Sequence, residues 1–252
     1  MSLRHSLLQP LVHTFLPSSF SASLNALNTN YKITQCSELG NGMKKTLGKI
    51  KTAALLIAMS TTPAWAAVID DFGAASINGW TIVNEGTTSA PSNWSIQSGE
   101  LQQSSNIYGG STDAAGVPKP GTYALYNAGS NWGDYQVSVT LRGSDDDAIG
   151  VMFRYQDANN YYRFSMDNSR AYRRLVKKEA GVFTVLWEDG VAYTRNQNYQ
   201  FSADAIGSNI RISLDGVELA NVTDSGISQG SVALYCWGQQ GAFFDYFKFI
   251  SN

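Results

Sequence analysis

Two alternating runs meet at one dipeptide. Asn209-Ile-Arg-Ile-Ser-Leu214 leads into Asp215-Gly216, and Val217-Glu-Leu219 leads out. A two-residue link between such runs needs positive φ at both link residues, which Asp-Gly tolerates, so this segment folds as a tight antiparallel hairpin. The same period of two recurs in Gln136-Val-Ser-Val-Thr-Leu141. Further strands are expected near 68–72, 79–83, 94–104, 122–127, 148–156, 160–167, 171–178, 182–188, 198–204, 231–237 and 242–250. No stretch carries the 3.6-residue period of an amphipathic helix. Strands at this spacing build a sandwich or a barrel. The 23 glycines, 13 tyrosines and low charged fraction of 15% agree with an all-β chain rich in turns. The segment Gly109 to Gly121 is the longest expected loop.

The first 66 residues read differently. Met43 to Lys51 is a basic stretch, Ala53-Ala-Leu-Leu-Ile-Ala-Met59 a short apolar one, and Ala64-Trp-Ala66 a small-residue cleavage signal after Pro63. Together they predict a secretory signal peptide over 43–66, with 1–42 an unstructured upstream extension from a misassigned start. Cleavage near Ala66 would leave 67–252 as one domain, secreted or periplasmic. No apolar run has the roughly 20 residues of a membrane span. Both histidines, His5 and His13, and one of two cysteines, Cys36, lie before the cleavage point. The exported chain would then hold a single thiol, Cys236, which excludes internal disulfides, histidine-ligated zinc and Ser-His or Cys-His catalysis. Nineteen of the 20 acids but only 12 of the 18 bases lie after residue 66, a net charge of −7 that argues against nucleic acid as a partner.

Between Ala148 and Asp167 an antiparallel pair is expected about the turn Asp157-Ala-Asn-Asn160. Pairing Tyr155 with Tyr162 sets Phe153 opposite Phe164 and Val151 opposite Met166, an apolar face for the core. The same register sets Arg154 opposite Arg163 on the other face.

The stretch Asp145-Asp-Asp-Ala-Ile-Gly-Val-Met-Phe-Arg-Tyr-Gln-Asp-Ala-Asn-Asn-Tyr-Tyr-Arg-Phe-Ser-Met-Asp167 resembles the concanavalin A-like lectin/glucanase superfamily. It is most similar to the LamG-like modules of bacterial exported proteins and the lectin-like C-terminal domain of thrombospondins. The Asp-Gly hairpin, Thr223-Asp-Ser225, Gly230 and Phe244-Asp245 fit the same pattern. The resemblance covers 134–250 well and implies a jelly-roll of two curved antiparallel sheets. It is more specific for fold than for function. It also implies, in some relatives, a structural calcium ion where first and last strands meet, here Asp70 or Asp71 with Asp245. Asp145-Asp-Asp147 is a second candidate if that segment is a loop.

The chemistry stays open on the residues alone. The glucanase branch carries its carboxyl pair as E-x-D-x-x-E, which is absent here. Seven bases and two acids lie between Arg154 and Lys178. Their arginine forks suit carboxylate or sulfate groups, so Arg154, Arg163 and Arg174 are candidates for an anionic polysaccharide. The alternative is an ordinary solvated face paired with Asp145, Asp146 and Asp147. Tyr161, Tyr172, Trp187, Tyr193 and Trp237 are candidates for stacking on sugar rings. The residues thus point to an exported, non-catalytic carbohydrate-binding or adhesion module. A glycoside hydrolase or polysaccharide lyase using Asp/Glu and Arg/Tyr is the alternative, and a structural envelope protein the third.

Overall fold

The computed structural model describes residues 67–74 and 76–251. The signal peptide and the upstream extension lie outside the described residues. Fifteen strands follow in order: β1 Ala67–Asp70, β2 Trp80–Asn84, β3 Trp94–Gln97, β4 Glu100–Gln103, β5 Thr122–Tyr126, β6 Tyr135–Gly143, β7 Ala148–Asp157, β8 Asn160–Asp167, β9 Tyr172–Glu179, β10 Val182–Asp189, β11 Tyr199–Ile206, β12 Asn209–Leu214, β13 Val217–Thr223, β14 Ser231–Trp237 and β15 Ala242–Ser251. They form two antiparallel sheets, one ordered β13-β12-β11-β6-β15-β4-β3 with β1 on β15, the other β10-β9-β8-β7-β14-β5-β2. Among the described residues no helix is long and apolar enough to cross a membrane.

The alternation read from the sequence decides which side chains meet between the sheets. On β6 Val137, Val139 and Leu141 point inward, and Gln136, Ser138 and Thr140 outward. The opposite sheet supplies Ile149, Val151, Phe153, Phe164, Leu175 and Leu234 to the same core. Asp215 and Gly216 take the positive φ that their turn requires, 51° and 77°. The expected strand at 94–104 is a second tight hairpin, turning at Ser98 and Gly99, both at positive φ. Cys236 is buried, which pushes its thiol pKa up and leaves it an inert apolar filler.

The register of the central pair differs from expectation. Ile149 faces Met166, Val151 faces Phe164, and Phe153 faces Tyr162. A bulge follows, centred on Arg154 at φ 46°, before Asp157 pairs with Asn160. It places three residues of β7 against one of β8. The slip is even, so the apolar set stays inside. The bulge, however, separates Tyr155 and Arg154 from their expected faces. Tyr155 joins the outer side of the sheet with Tyr161 and Tyr235. Arg154 turns to the loops at the sandwich end, donating to Ile227 O at 3.0 Å and Gly207 O at 2.9 Å. A bulge at a non-glycine positive φ leaves no mark in an apolar/polar pattern, which is why the pattern missed it.

Candidate functional site

Strands β7, β8 and β14 are buried on both sides. Their second side chains, with Tyr123 of β5, form an outer layer: Ala148, Met152, Tyr155, Tyr161, Ala233, Tyr235 and Trp237. Arg163, Arg174 and Tyr172 complete it from β8 and β9. What covers this layer is the long loop foreseen at 109–121, here called the strap. Its carbonyls accept side-chain donors one after another. Trp237 Nε1 donates to Gly109 O at 2.9 Å, and Lys119 Nζ to Ser111 O and Asp113 O at 2.9 and 2.7 Å. Arg170 Nε reaches Thr112 O, and Arg174 Nη2 reaches Ala114 O at 2.8 Å. Arg163 holds Val117 O and Pro118 O at 2.7 and 2.9 Å, and Tyr235 OH holds Lys119 O.

Much of the basic run is therefore turned to the protein's own backbone. Arg154, Arg163, Arg174, Tyr161, Tyr172 and Trp237 each expose 3% or less of their surface. Arg154 and Arg163 are not neighbours on a solvent-facing surface, since one caps end loops and the other lies under the strap across from Met152. Trp187 lies on the opposite side of its sheet, packed against the core between the sheets after a bulge at Val185. Arg174 and Arg173 also pair with Glu188 and Asp189.

At the β14 end the strap leaves an opening of about 210 Å³, lined by Asn106, Tyr108, Thr112, Asp147, Arg170, Trp237 and Gly238. Trp237, only 1% exposed, backs the opening, and half-buried Tyr108 stands edge-on to it at 5.9 Å and faces the opening. Two cations contact the Trp237 ring: Lys119 Nζ at 4.2 Å from the centroid and the Arg170 guanidinium at 4.5 Å. Arg170 bridges Asp147 at 2.5 Å and the fully buried Asp167 at 3.1 Å. Burial raises the pKa of the Asp147 carboxyl, against the pull of Arg170. Gly238 makes this placement possible. Its φ is 64°, and a Cβ there would come within 2.6 Å of Asp147 Oδ2. Tyr193 is a positioning residue rather than an exposed platform. It is buried, with its hydroxyl 2.6 and 2.9 Å from the carbonyls of Asp145 and Asp147. The pocket thus sets a carboxylate, a guanidinium, an amide and a hydroxyl around an aromatic wall, a mix suited to a small polyhydroxylated ligand.

The far end of the outer layer is tyrosine-rich. Tyr123 and Tyr155 hydroxyls are 2.8 Å apart, Tyr155 stacks on Tyr161, and the Tyr161 hydroxyl is buried without a partner. Burial pushes the Tyr161 pKa up to about 12. Glu85 lies within electrostatic reach of Lys178 and Arg163, and burial raises its carboxyl pKa. The basic run contained Arg170, but neither Glu85 nor Tyr108 carried a sequence signal.

First and last strands do pair, β1 against β15, as expected. Asp71 and Glu100 lie within electrostatic reach of Asp245 there, and each of the three aspartates also accepts a nearby backbone amide. Asp70 accepts Phe72 N at 2.9 Å and Trp80 Nε1 at 2.9 Å, Asp71 accepts Gly73 N, and Asp245 accepts Tyr246 N. Among the described residues the carboxylates that converge are those of Asp145, Asp146 and Asp147, within 4.8 Å of one another on a bend. That trio can hold a cation.

Residues 65–249 match the profile of the 3-keto-alpha-glucoside-1,2-lyase-like domain. No curated protein matches the chain. Among solved structures, the carbohydrate-binding module CBM66 from Bacillus subtilis is 25% identical, with a TM-score of 0.52 over 68% of this chain and 94% of that one. The Bacillus licheniformis beta-glucanase is 11% identical, with a TM-score of 0.52 over 73% and 97%. A Bacillus subtilis protein of unknown function with a galectin-like fold is 9% identical, with a TM-score of 0.55 over 73% and 96%. The fold is the concanavalin A-like sandwich anticipated from the sequence.

Proposed function

The chain belongs to the 3-keto-alpha-glucoside-1,2-lyase-like domain family, and from that premise we propose that it binds a glycoside in the pocket at Tyr108, Arg170 and Asp147. The observation that carries this reading is the pocket itself. Half-buried Tyr108 beside an ion pair offers an apolar contact for the C–H side of a sugar ring, with an acceptor and a donor for neighbouring hydroxyls. The likeness to a carbohydrate-binding module at 25% identity supports it. A neutral ring fits better than an anionic one, because Arg170 already faces two carboxylates and Arg163 is spent on the strap. Isothermal titration with methyl α-glucoside tests the reading. Tyr108→Ala and Asp147→Asn should each weaken binding at least about tenfold, the loss of one well-placed contact. Binding unchanged in both variants would refute it.

A second reading is favoured by Glu85. A 1,2-elimination from a 3-keto glycoside removes the C2 proton, acidified by the C3 ketone, and breaks the C1–O bond as the C1=C2 bond forms. It needs a base and a donor for the departing oxygen. Glu85, its carboxyl pKa raised by burial, supplies the first, and the tyrosine trio is a source for the second. The two carboxylates at the other end do not act as a glycosidase pair, since both are bonded to Arg170. Release of the alcohol from a 3-keto-α-glucoside by the wild type, abolished in Glu85→Gln, would establish this reading over simple binding. We also propose that the domain is of the LamG-like kind and is exported, which N-terminal sequencing of the secreted chain checks.

A further inference from the structure

The strap that walls one side of the pocket also occupies the sheet beside it. Thr112 lines the pocket and its carbonyl takes Arg170 Nε. Beyond it the strap lies over Arg174, Arg163 and Tyr235, held by their donors through backbone oxygens. At about 210 Å³ the pocket is below the roughly 300–1,000 Å³ of ordinary ligand sites. It opens to solvent on one side, and a ring running from it along the sheet would meet the strap.

We propose that the strap makes this pocket a chain-end site, which takes a single terminal sugar and denies the next ring the sheet face. The inference rests on the sugar-binding reading above. Two observations point to a face equipped for more rings than the strap admits. The sheet's donors hold the strap through acceptor oxygens alone, a role that sugar hydroxyls fill as well. And the face under the strap carries donors that the strap leaves unused: Arg163 Nε and Arg174 Nη1 are buried with no partner. Such groups cost free energy until an acceptor reaches them. A longer neutral glycan laid where the strap lies would bring acceptors to a row of fixed donors.

The strap can be shortened where it pinches. A Cβ at Gly116 would come within 2.9 Å of Ser111 Cβ, so deleting Thr112–Ala115 rejoins chain ends that already touch and uncovers the part of the face nearest the pocket, at Arg174, whose acceptor is Ala114 O. Titrations with methyl α-glucoside, maltose and maltotetraose then read affinity against ring number. For the wild type the three should agree within about twofold per chain end, while the deletion variant should bind maltotetraose at least about tenfold more tightly than the single ring. Near-UV circular dichroism checks that the variant is folded. Should it not fold, Tyr235→Phe removes one strap anchor and should raise the same ratio several-fold. A wild-type affinity that climbs with ring number would overturn the inference and leave the pocket reading standing. So would a flat ratio in a folded deletion variant or, failing that, in Tyr235→Phe. No binding of any of the three to the wild type removes the pocket reading, and this inference with it.

Discussion

Along β8, Tyr162, Phe164 and Met166 enter the core between the sheets, while Tyr161, Arg163 and Ser165 face away from it, and all six are buried. The inner set is buried by a second sheet and is almost entirely apolar. At Arg163, and beside it at Arg174 and Tyr235, the outer face is covered by a strap of chain that brings a row of unpaired carbonyls with it, so it must supply donors. Burial by a sheet selects for shape, and burial by a loop selects for hydrogen-bond donors. This accounts for the arginines, lysine and tyrosines on a face that a two-layer sandwich would leave to water.

The comparison can be broken most sharply on the inner side. Phe164 stacks on Phe201 with centroids 5.3 Å apart. Phe164→Ala should cost about 3–5 kcal/mol in chemical denaturation, the range for a truncated core aromatic. An unchanged midpoint would mean that this face is not the core.

Arg163→Met tests the outer side. It keeps much of the packing on Tyr235 but strips two carbonyls of their donor. A loss of about 2–4 kcal/mol is expected, as for leaving buried polar groups unpaired. Hydrogen exchange should show the change concentrated in the strap. A loss spread evenly over both sheets would count against a donor-held loop.

Lys119 sharpens the contrast through pH. Burial, then the neighbouring Arg170, lowers its pKa to about 8. Between that value and its unfolded value near 10.5 the unfolded chain holds the proton and the folded chain releases it, so stability contributed by this site rises with pH across the window and is flat below it. The difference in unfolding free energy between wild type and Lys119→Met should therefore grow from pH 8 to 10. A constant difference would mean that the lysine is not desolvated.

The smallest effect is expected at Tyr161. Its hydroxyl is buried without an acceptor, so Tyr161→Phe should be neutral or stabilising by up to about 1 kcal/mol. A clear destabilisation would reveal an acceptor on the outer face.

What could be read in the sequence follows from periodicity. Strand positions, the Asp215-Gly216 turn and the two-sheet class are local patterns, and alternation reports which residues are buried in a sandwich. It cannot report by what. Arg163 and Tyr161 alternate with core residues and so fall on the outer face, where the strap, a loop with no period, takes Arg163 and where Tyr155, Phe183 and Lys178 pack on Tyr161. Arg154 was misplaced for another reason: the bulge that turns it is a backbone state of one residue. Trp237, a stacking candidate on the sequence, is buried, and Asp147, Arg170 and Tyr108 are brought beside it by long-range packing across three separate segments.

The proposed sugar site is the opening at Tyr108, Arg170 and Asp147, which the buried Trp237 backs. Trp237 donates its indole N–H to Gly109 O and walls the pocket, while Trp80, Trp94 and Trp132 pack against the core between the sheets. A titration with methyl α-glucoside, followed through the tryptophan indole resonances and the backbone amide of Gly238, addresses the claim directly. Saturable shifts of the Trp237 indole and of Gly238, with the core tryptophans unmoved, are the predicted result. Saturable shifts confined to the neighbourhood of Glu85 and Tyr155, or no shift at Trp237 at saturating sugar, would contradict it.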